Sequence, residues 1–481
     1  MKKLAWLLAA ALMMTLSSAA LAEETLYEAE NAVLHGKSTV ATDAAASGGK
    51  AVGRFEGSED TVNFIISVPA DSTYDLTFVC RGIGGGKTNK VSVDGKPQGE
   101  FSCSGEAYEA DTLRGVWLTA GEHTVTVNKS WGWIWLDSLT VTPAEKIPDS
   151  VYDVEPVLTN PNANEDAQQL FTYLCECYGK VTLAGQHCEY GTIGSECYTI
   201  YQVTGKYPAV LGLDMMSYSP ARREHGSSGG SSVEQAVKFH DQGGIVTFCW
   251  HWNAPNEYLK DGTDNGNPRW WGGFYTRNTD FDIEAVMNGS DPRGKEYLDR
   301  DIKAIAEQLL RLQEQGIPVL WRPLHEASGG WFWWGAKGAE PFKQLWVYLY
   351  NELTCTYGCN NLIWIWNAST AEWYPGDAYV DIIGEDIYAD KHDYSAQNSK
   401  FSKLLDVPGE NKLIALTECG VVPDIDQLIQ TNARWLWFNT WGGDFVYKKL
   451  KYSDEYTEAA LLKKVYDSEY VITLDELPDF D

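Results

Sequence analysis

The sequence is short of positive charge: 38 Lys and Arg stand against 67 Asp and Glu in 481 residues, a formal net charge of −29. That balance excludes nucleic acid as a partner, because displacing counterions from a phosphate backbone needs a basic surface. A neutral substrate is the expectation. Long apolar runs are also missing beyond the N-terminus. Leu4 to Leu16 is apolar, follows Lys2 and Lys3, and leads to the small residues Ala20-Leu21-Ala22. Residues 1–22 therefore have the form of a secretory signal cleaved before Glu23, and no Cys follows the cleavage point to carry a lipid. No later stretch is long and apolar enough to span a bilayer. The expectation is a secreted monomer, extracellular or periplasmic, with no membrane span. C-x-x-C pairs are absent, which argues against a structural zinc site. Neither H-x-H nor E-x-x-H spacing occurs, which argues against a metal-dependent aldolase or hydrolase. Ten cysteines in an exported chain make disulfides plausible, with Cys188–Cys197, Cys355–Cys359 and Cys80–Cys103 as close pairs, but sequence does not fix the connectivity. Cys249 and Cys419 lie inside strand-like runs and read as small buried thiols.

The most concentrated signal is Pro318 to Gly335, P-V-L-W-R-P-L-H-E-A-S-G-G-W-F-W-W-G. Pro318 to Leu324 reads as a buried strand that opens onto Arg322, His325 and Glu326. Four adjacent large rings, Trp331 to Trp334, are too many to face one core, so some must line a surface. An aromatic floor beside a partly desolvated carboxylate suits a sugar polymer, whose C–H faces stack on rings while an acid protonates the glycosidic oxygen. The plainer alternative is a Trp-rich core edge with an ion-paired Glu.

Residues 23–143 alternate short β-like runs with turn signals such as Asp94-Gly95 and Ala120-Gly121, and nothing there has helical length. This predicts an antiparallel β-sandwich. Gly82 to Thr88 fails as a phosphate loop, since Arg81 stands where its first glycine belongs and a strand follows. Glu28 and Glu30 share one side of the opening strand, and Asp137 lies in the last one. Such hard oxygen ligands suit Ca2+, against the plainer reading of solvated acids on an edge strand. Asn128 to Trp133 places indoles at a turn, and at least one of Trp133 and Trp135 is expected in the core. The opening Y-E-A-E-N-A, the V-S-V-D-G hairpin and the closing W-G-W-I-W-L-D-S-L-T-V resemble a family 35 carbohydrate-binding module. The resemblance implies a structural calcium on Glu28, Glu30 and Asp137 and a sugar contact at Trp131.

Proline-rich residues 144–161 read as a semi-stiff linker. From 162 to 481, eight apolar strand candidates alternate with amphipathic helical stretches, the pattern of a (β/α)8 barrel. Polar residues gather at the C-terminal ends of these runs: Gln186, Asp214, His251, Arg322, His325, Glu326, Asn367, Asp386, Tyr388, Glu418 and Trp441. That end is the active-site face of a barrel. Glu326 ends the fourth run and Glu418 the seventh, on opposite sides of the mouth, which matches the two carboxyl groups that glycoside hydrolysis requires. Tyr388 could orient Glu418.

W-R-P-L-H-E with G-G-W-F-W-W-G, then L-T-E-C-G and a terminal Y-V-I-T-L-D-E-L-P, resemble glycoside hydrolase family 26, most often an endo-β-1,4-mannanase. The resemblance implies Glu326 as acid/base and Glu418 as nucleophile of a retaining mechanism. It also implies substrate contacts from His251, Arg322, His325, Trp331, Asp386, Tyr388 and Trp441, and no cofactor for catalysis. Ala327-Ser328 replace the Met-Asn frequent in the family after the acid/base, leaving a smaller side chain near the +1 side. The implied substrate is plant β-mannan, galactomannan or glucomannan. Mixed-linkage β-glucan and β-1,3-xylan are alternatives within the family, and a non-catalytic polysaccharide-binding protein is the alternative of another class.

Overall fold

The computed structural model describes residues 24–131, 133–188, 196–449 and 451–480. The signal segment expected at 1–22 lies outside the described residues. The chain divides into two compact units, the first closing at Lys146 and the second opening at Ile147.

The first unit is a sandwich of two antiparallel sheets. In one, Thr39–Thr42, Lys50–Gly53, Ile134–Pro143, Ser72–Gly82 and Glu109–Leu118 lie side by side, with Thr25–Glu28 paired to Ile134–Pro143. In the other the order is Val33–His35, Thr61–Val68, Gly121–Trp131, Lys87–Val93 and Lys96–Cys103. Strict alternation explains the layer: in Thr61–Val68 every second residue, from Val62 to Val68, is buried. The inner faces meet around Phe64, Leu76, Phe78, Phe101 and Val125, with Phe78 stacked on Phe101 at 4.3 Å. Asp94 and Gly95 both take positive φ, 51° and 77°, as a two-residue hairpin loop between right-twisted strands requires.

The second unit is the barrel. Its strands are β1 (Thr182–His187), β2 (Val210–Asp214), β3 (Ile245–Cys249), β4 (Val319–Arg322), β5 (Leu362–Trp366), β6 (Ile382–Ile387), β7 (Leu413–Cys419) and β8 (Trp437–Thr440). They pair in parallel in that order, and β8 pairs with β1 to close the ring. These strands read as unbroken apolar runs because both faces are covered, by the barrel interior and by the outer helices. Pro292–Gln313 shows how a covering helix is specified: Asp291 caps it by accepting from Gly294 N–H at 2.8 Å, and Leu298, Ile302, Ile305 and Leu309 form its buried stripe.

Two expectations are corrected here. Residues 147–161 are not a free linker. Tyr152 is buried and its hydroxyl donates to Asn432 O; Asn411 Nδ2 donates to Ser150 O at 2.7 Å, and Thr159 N–H to Asp381 Oδ1 at 2.7 Å. Proline removed the helical and strand signals from this segment, but its apolar side chains still found a groove on the barrel. In the sandwich neither indole at the start of its last strand is core: Trp133 is 52% exposed and Trp135 is half-buried, while Ile134 between them is fully buried.

Candidate active site

β4 stops at Arg322, earlier than the apolar run suggests. Pro323 cannot donate to the ladder, and beyond it Leu324 and Glu326 both take φ of +54°, a left-handed conformation that costs non-glycine residues on the order of 1–3 kcal/mol. The loop is held from several sides. Glu326 N–H donates to Asn367 O at 2.8 Å, just past β5, and the buried indole of Trp334 donates to His325 O at 2.9 Å. Gly335 has to be glycine, because a Cβ there would stand 1.9 Å from Ala327 O. Of the four adjacent rings, Phe332, Trp333 and Trp334 are buried and Trp331 is 47% exposed. Trp331 is steadied by the 250–281 excursion between β3 and the next helix, where Thr276 N–H donates to Trp331 O at 2.8 Å. Its Nε1–H donates to Glu326 Oε2 at 3.0 Å.

Glu418 reaches the same mouth from β7 through an irregularity in the ladder. Glu385 pairs with Leu416 but Asp386 pairs with Glu418, so Thr417 is an extra residue and the bulge re-aims Glu418 inward. One carboxylate oxygen each from Glu326, Asp386 and Glu418 lies within 4.8 Å of the others. Arg322 sits among them: Nη1 donates to Asp386 Oδ2 at 2.7 Å and Nη2 donates to Glu418 Oε1. Tyr388 OH donates to Glu418 Oε2 at 2.6 Å. Asp386 Oδ1 also accepts from Asn367 Nδ2 at 2.9 Å and from Thr417 Oγ1 at 2.7 Å. Its carboxylate, 3% exposed, is thus spent on the protein's own donors. From there its negative charge acts on both Glu326 and Glu418.

Burial pushes Glu326 up to about 7, and the neighbouring Asp386 carboxylate adds to it. Burial likewise raises Glu418, with Asp386 adding to the effect and Arg322 opposing it. The two groups titrate as a pair. Glu418 has a donor on each oxygen, including a guanidinium, whereas Glu326 has a single neutral indole donor. The first proton held by the pair therefore rests on Glu326.

A second cluster lines the mouth from β2 and β3. Asp214 Oδ2 accepts from His251 Nδ1–H at 2.6 Å, which leaves His251 Nε2 as acceptor, 3.3 Å from His325 Nε2. His325 is kept neutral by burial, reinforced by Arg322, so its Nε2–H donates to His251. Trp441 lies at the end of β8 with one face against His187, centroids 4.0 Å apart and nearly parallel, so the opposite face is the one left for a ligand. His187 is buried, and burial pushes its imidazole down to about 3.

The structure therefore brings together His251, Arg322, His325, Glu326, Trp331, Asp386, Tyr388, Glu418 and Trp441. Sequence reasoning missed two partners: Thr417, whose bulge is a matter of strand register, and His187, which looked like an ordinary strand residue.

In the sandwich unit, Trp131 is 72% exposed. Ser47 Oγ lies 2.6 Å from Glu28 Oε2 and 2.9 Å from Asp137 Oδ1, and Ser47 N–H donates to the same Asp137 oxygen. Burial raises Asp137, and the charges of Glu28 and Glu30 raise it further. Glu30 Oε2 is buried without a hydrogen-bond partner. One hydroxyl proton cannot serve both Glu28 and Asp137, and Glu30 Oε2 has no donor at all, so the donor deficit fits a bound cation.

Comparison with known proteins agrees with this geometry. Residues 159–476 match the family described as Glycosyl hydrolase family 26, and residues 25–144 match Carbohydrate binding module (family 35). A mannan endo-1,4-β-mannosidase of Thermothelomyces thermophilus is 40% identical over 94% of this chain and 90% of its own. A mannan endo-1,4-β-mannosidase B of Piromyces sp is 34% identical over 96% of this chain and 78% of its own. Among solved structures, the Podospora anserina GH26-CBM35 β-(1,4)-mannanase is 41% identical with a TM-score of 0.66, covering 95% of this chain and 99% of that one. A β-mannanase from a symbiotic protist of the termite Reticulitermes speratus, solved with a gluco-manno-oligosaccharide, is 32% identical with a TM-score of 0.59 over 68% of this chain and 98% of that one.

Proposed function

We propose, since this chain belongs to glycosyl hydrolase family 26 and carries a family 35 carbohydrate-binding module ahead of its catalytic domain, that it is a secreted, retaining endo-β-1,4-mannanase. The observation that carries the mechanism is the approach of Glu326 and Glu418 oxygens to within 4.8 Å. Retaining enzymes place the two carboxyl groups roughly 5–5.5 Å apart, whereas inverting ones need about 6.5–9.5 Å to admit a water. In the first step Glu418, held as the anion by Arg322 and Tyr388, attacks the anomeric carbon. Glu326 gives its proton to the departing glycosidic oxygen. In the second step Glu326 takes a proton from water, which attacks the same carbon and releases Glu418. His251 and His325, tied to Asp214 and to each other, shape the wall of the mouth beside the sugar, and Trp331 and Trp441 offer stacking faces.

β-1,4-Mannan, galactomannan or glucomannan is the proposed substrate, supported by the mannanase relatives over most of the chain. Parallel assays on mannan, barley β-glucan and β-1,3-xylan test it. A higher kcat/KM on either of the last two sinks the mannanase reading and leaves the hydrolase reading standing. Analysis of the anomer first released tests retention.

The pH profile follows from the proton on Glu326. On a neutral polysaccharide, kcat/KM is expected to fall as pH rises through about 7, where Glu326 loses the proton it must donate. The Trp331 indole stabilises the Glu326 anion and so lowers its pKa. Trp331→Phe is therefore expected to move the alkaline limb upward, besides weakening binding. A limb that stays in place or moves down would contradict the assignment of Glu326 as the acid.

For the module we propose a structural Ca2+ held by Glu28, Glu30 and Asp137, and a sugar contact at Trp131. Among the described residues, the groups with three ligand atoms within 4.8 Å of one another are Asp214–Cys249–His251 and Glu326–Asp386–Glu418. The module's acids are spread wider, around Ser47. A ligand that binds the folded state alone raises its stability by mass action. Chelation of the full chain is expected to lower the melting transition of the module without changing the rate on soluble mannan, and Glu30→Ala to abolish the response. A melt unaffected by chelator would remove the calcium.

A further inference from the structure

We propose that Asp214, Cys249 and His251 form a site for a thiophilic divalent cation at the barrel mouth, and that its occupancy switches hydrolysis off. Asp214 and Cys249 are direct partners in the parallel pairing of β2 with β3, and His251 follows two residues further along the chain. One ligand atom of each lies within 4.8 Å of the others. Cys249 Sγ is 4.0 Å and Asp214 Oδ2 is 2.6 Å from the same atom, His251 Nδ1. A zinc-like ion bonded tetrahedrally at about 2.3 Å to sulfur and about 2.0–2.1 Å to nitrogen sets those two atoms roughly 3.6 Å apart. The thiol must close by a few tenths of an ångström and the carboxylate must swing out, both within side-chain rotation. Thiolate, imidazole and carboxylate together suit Zn2+ or Cd2+ and disfavour Ca2+ and Mg2+, which demand oxygen. Cys249 is buried, but the Asp214 and His251 side chains keep 16% and 14% of their exposure, so a fourth ligand, water, can reach the ion from the mouth.

Coordination is incompatible with the hydrogen bonds of the ion-free site. There, His251 Nδ1–H donates to Asp214 and His325 Nε2–H donates to His251 Nε2. When the ion takes Nδ1, the His251 proton moves to Nε2 and now points at His325. His325 must accept on Nε2 and carry its own proton on Nδ1, a buried atom with no hydrogen-bond partner. Both rings keep one proton each. The thiol proton leaves to solvent as the sulfur–metal bond forms, so binding tightens with rising pH. The hydrogen bond that fixes both rings at the barrel mouth is thereby reversed, and a proton is left on a buried nitrogen that has nothing to donate to.

The test titrates the full chain with Cd2+, reading the ultraviolet charge-transfer band of a cadmium–thiolate bond and, separately, the rate on soluble mannan. The band reads the site whether or not the proposed hydrolysis is correct, while the inhibition rests on it. The band and a loss of at least tenfold in rate are expected together, both reversed by chelator, with no effect of Ca2+. Cys355→Ser, which removes the exposed thiol, is expected to behave as the parent. Cys249→Ser and Cys249→Ala are expected to keep the parent rate and lose both the band and the inhibition. Absence of the band in an active enzyme overturns the site. Inhibition that persists in the folded Cys249 variants overturns the switch and places the ion on the Glu326–Asp386–Glu418 carboxylates.

Discussion

Glu418→Ala is expected to abolish turnover on every substrate, a loss on the order of 10⁴-fold or more, because no glycosyl-enzyme can form without the attacking carboxylate. Glu326→Ala is expected to behave differently. On polysaccharide it should lose roughly 10²–10⁴-fold, the usual worth of a positioned general acid. On aryl glycosides with good leaving groups the first step needs no proton, so Glu326→Ala should form the glycosyl-enzyme rapidly and then stall, giving a burst of phenol followed by a slow steady rate. Rapid-mixing measurements on both variants decide the roles: two variants that behave alike on activated glycosides would overturn the assignment.

The same pair carries a stability signature whose sign follows from the raised pKa. A carboxyl group whose folded pKa lies above its unfolded value supports the fold fully below the unfolded pKa, near 4.5. That support is lost as pH rises through the folded value, about 7 for Glu326. Glu326→Gln is therefore expected to melt higher than the parent above pH 7, by up to about 3 kcal/mol, and to match it near pH 4.

Arg322 is the second position where a large effect is expected, and here the effect is on the fold as well as the reaction. Its guanidinium is 4% exposed and bridges Asp386 and Glu418, themselves 3% and 4% exposed. Arg322→Met leaves two buried carboxylates without a counter-charge. Breaking a buried pair in this way costs about 3–5 kcal/mol, which for a domain of this size corresponds to a melting temperature lower by roughly 10 °C. Activity should be lost too, since Glu418 would then hold a proton at working pH and could not attack. Because the penalty belongs to the ionised carboxylates, it should shrink as pH falls, so the variant and the parent are expected to converge on acidification. Arg322→Lys restores a charge but not two parallel donors, and a single ammonium cannot bridge both partners as the planar fork does. It should recover part of the stability and little of the rate. Thermal melts of the three proteins at pH 5 and pH 8 provide the check, and a penalty for Arg322→Met that is independent of pH would contradict the electrostatic account.

Much of the molecule was legible in the sequence because its signals are local. Strict alternation and the Asp94-Gly95 turn marked the sandwich, since side chains in a strand change face at every residue. Apolar runs alternating with amphipathic stretches marked the barrel, since strands covered on both sides have no polar face. Arg322, His325 and Glu326 fall within five residues of one another and Glu418 ends a strand, so chemistry and position could be read together. What the tertiary structure decided were relations between residues far apart in the chain. The left-handed turns at Leu324 and Glu326 exist because the loop is pinned to β5 and to Trp334. Asp386 became a charge-setting group because Arg322, Asn367 and Thr417 converge on it, and Thr417 can do so through a bulge that is a property of the β6–β7 register. His187 behind Trp441, and Asp214 fixing His251 opposite a neutral His325, likewise depend on which strand ends become neighbours when the barrel closes. A one-dimensional pattern records which face a residue prefers, whereas hydrogen bonding and ionisation depend on through-space distances that closure alone sets.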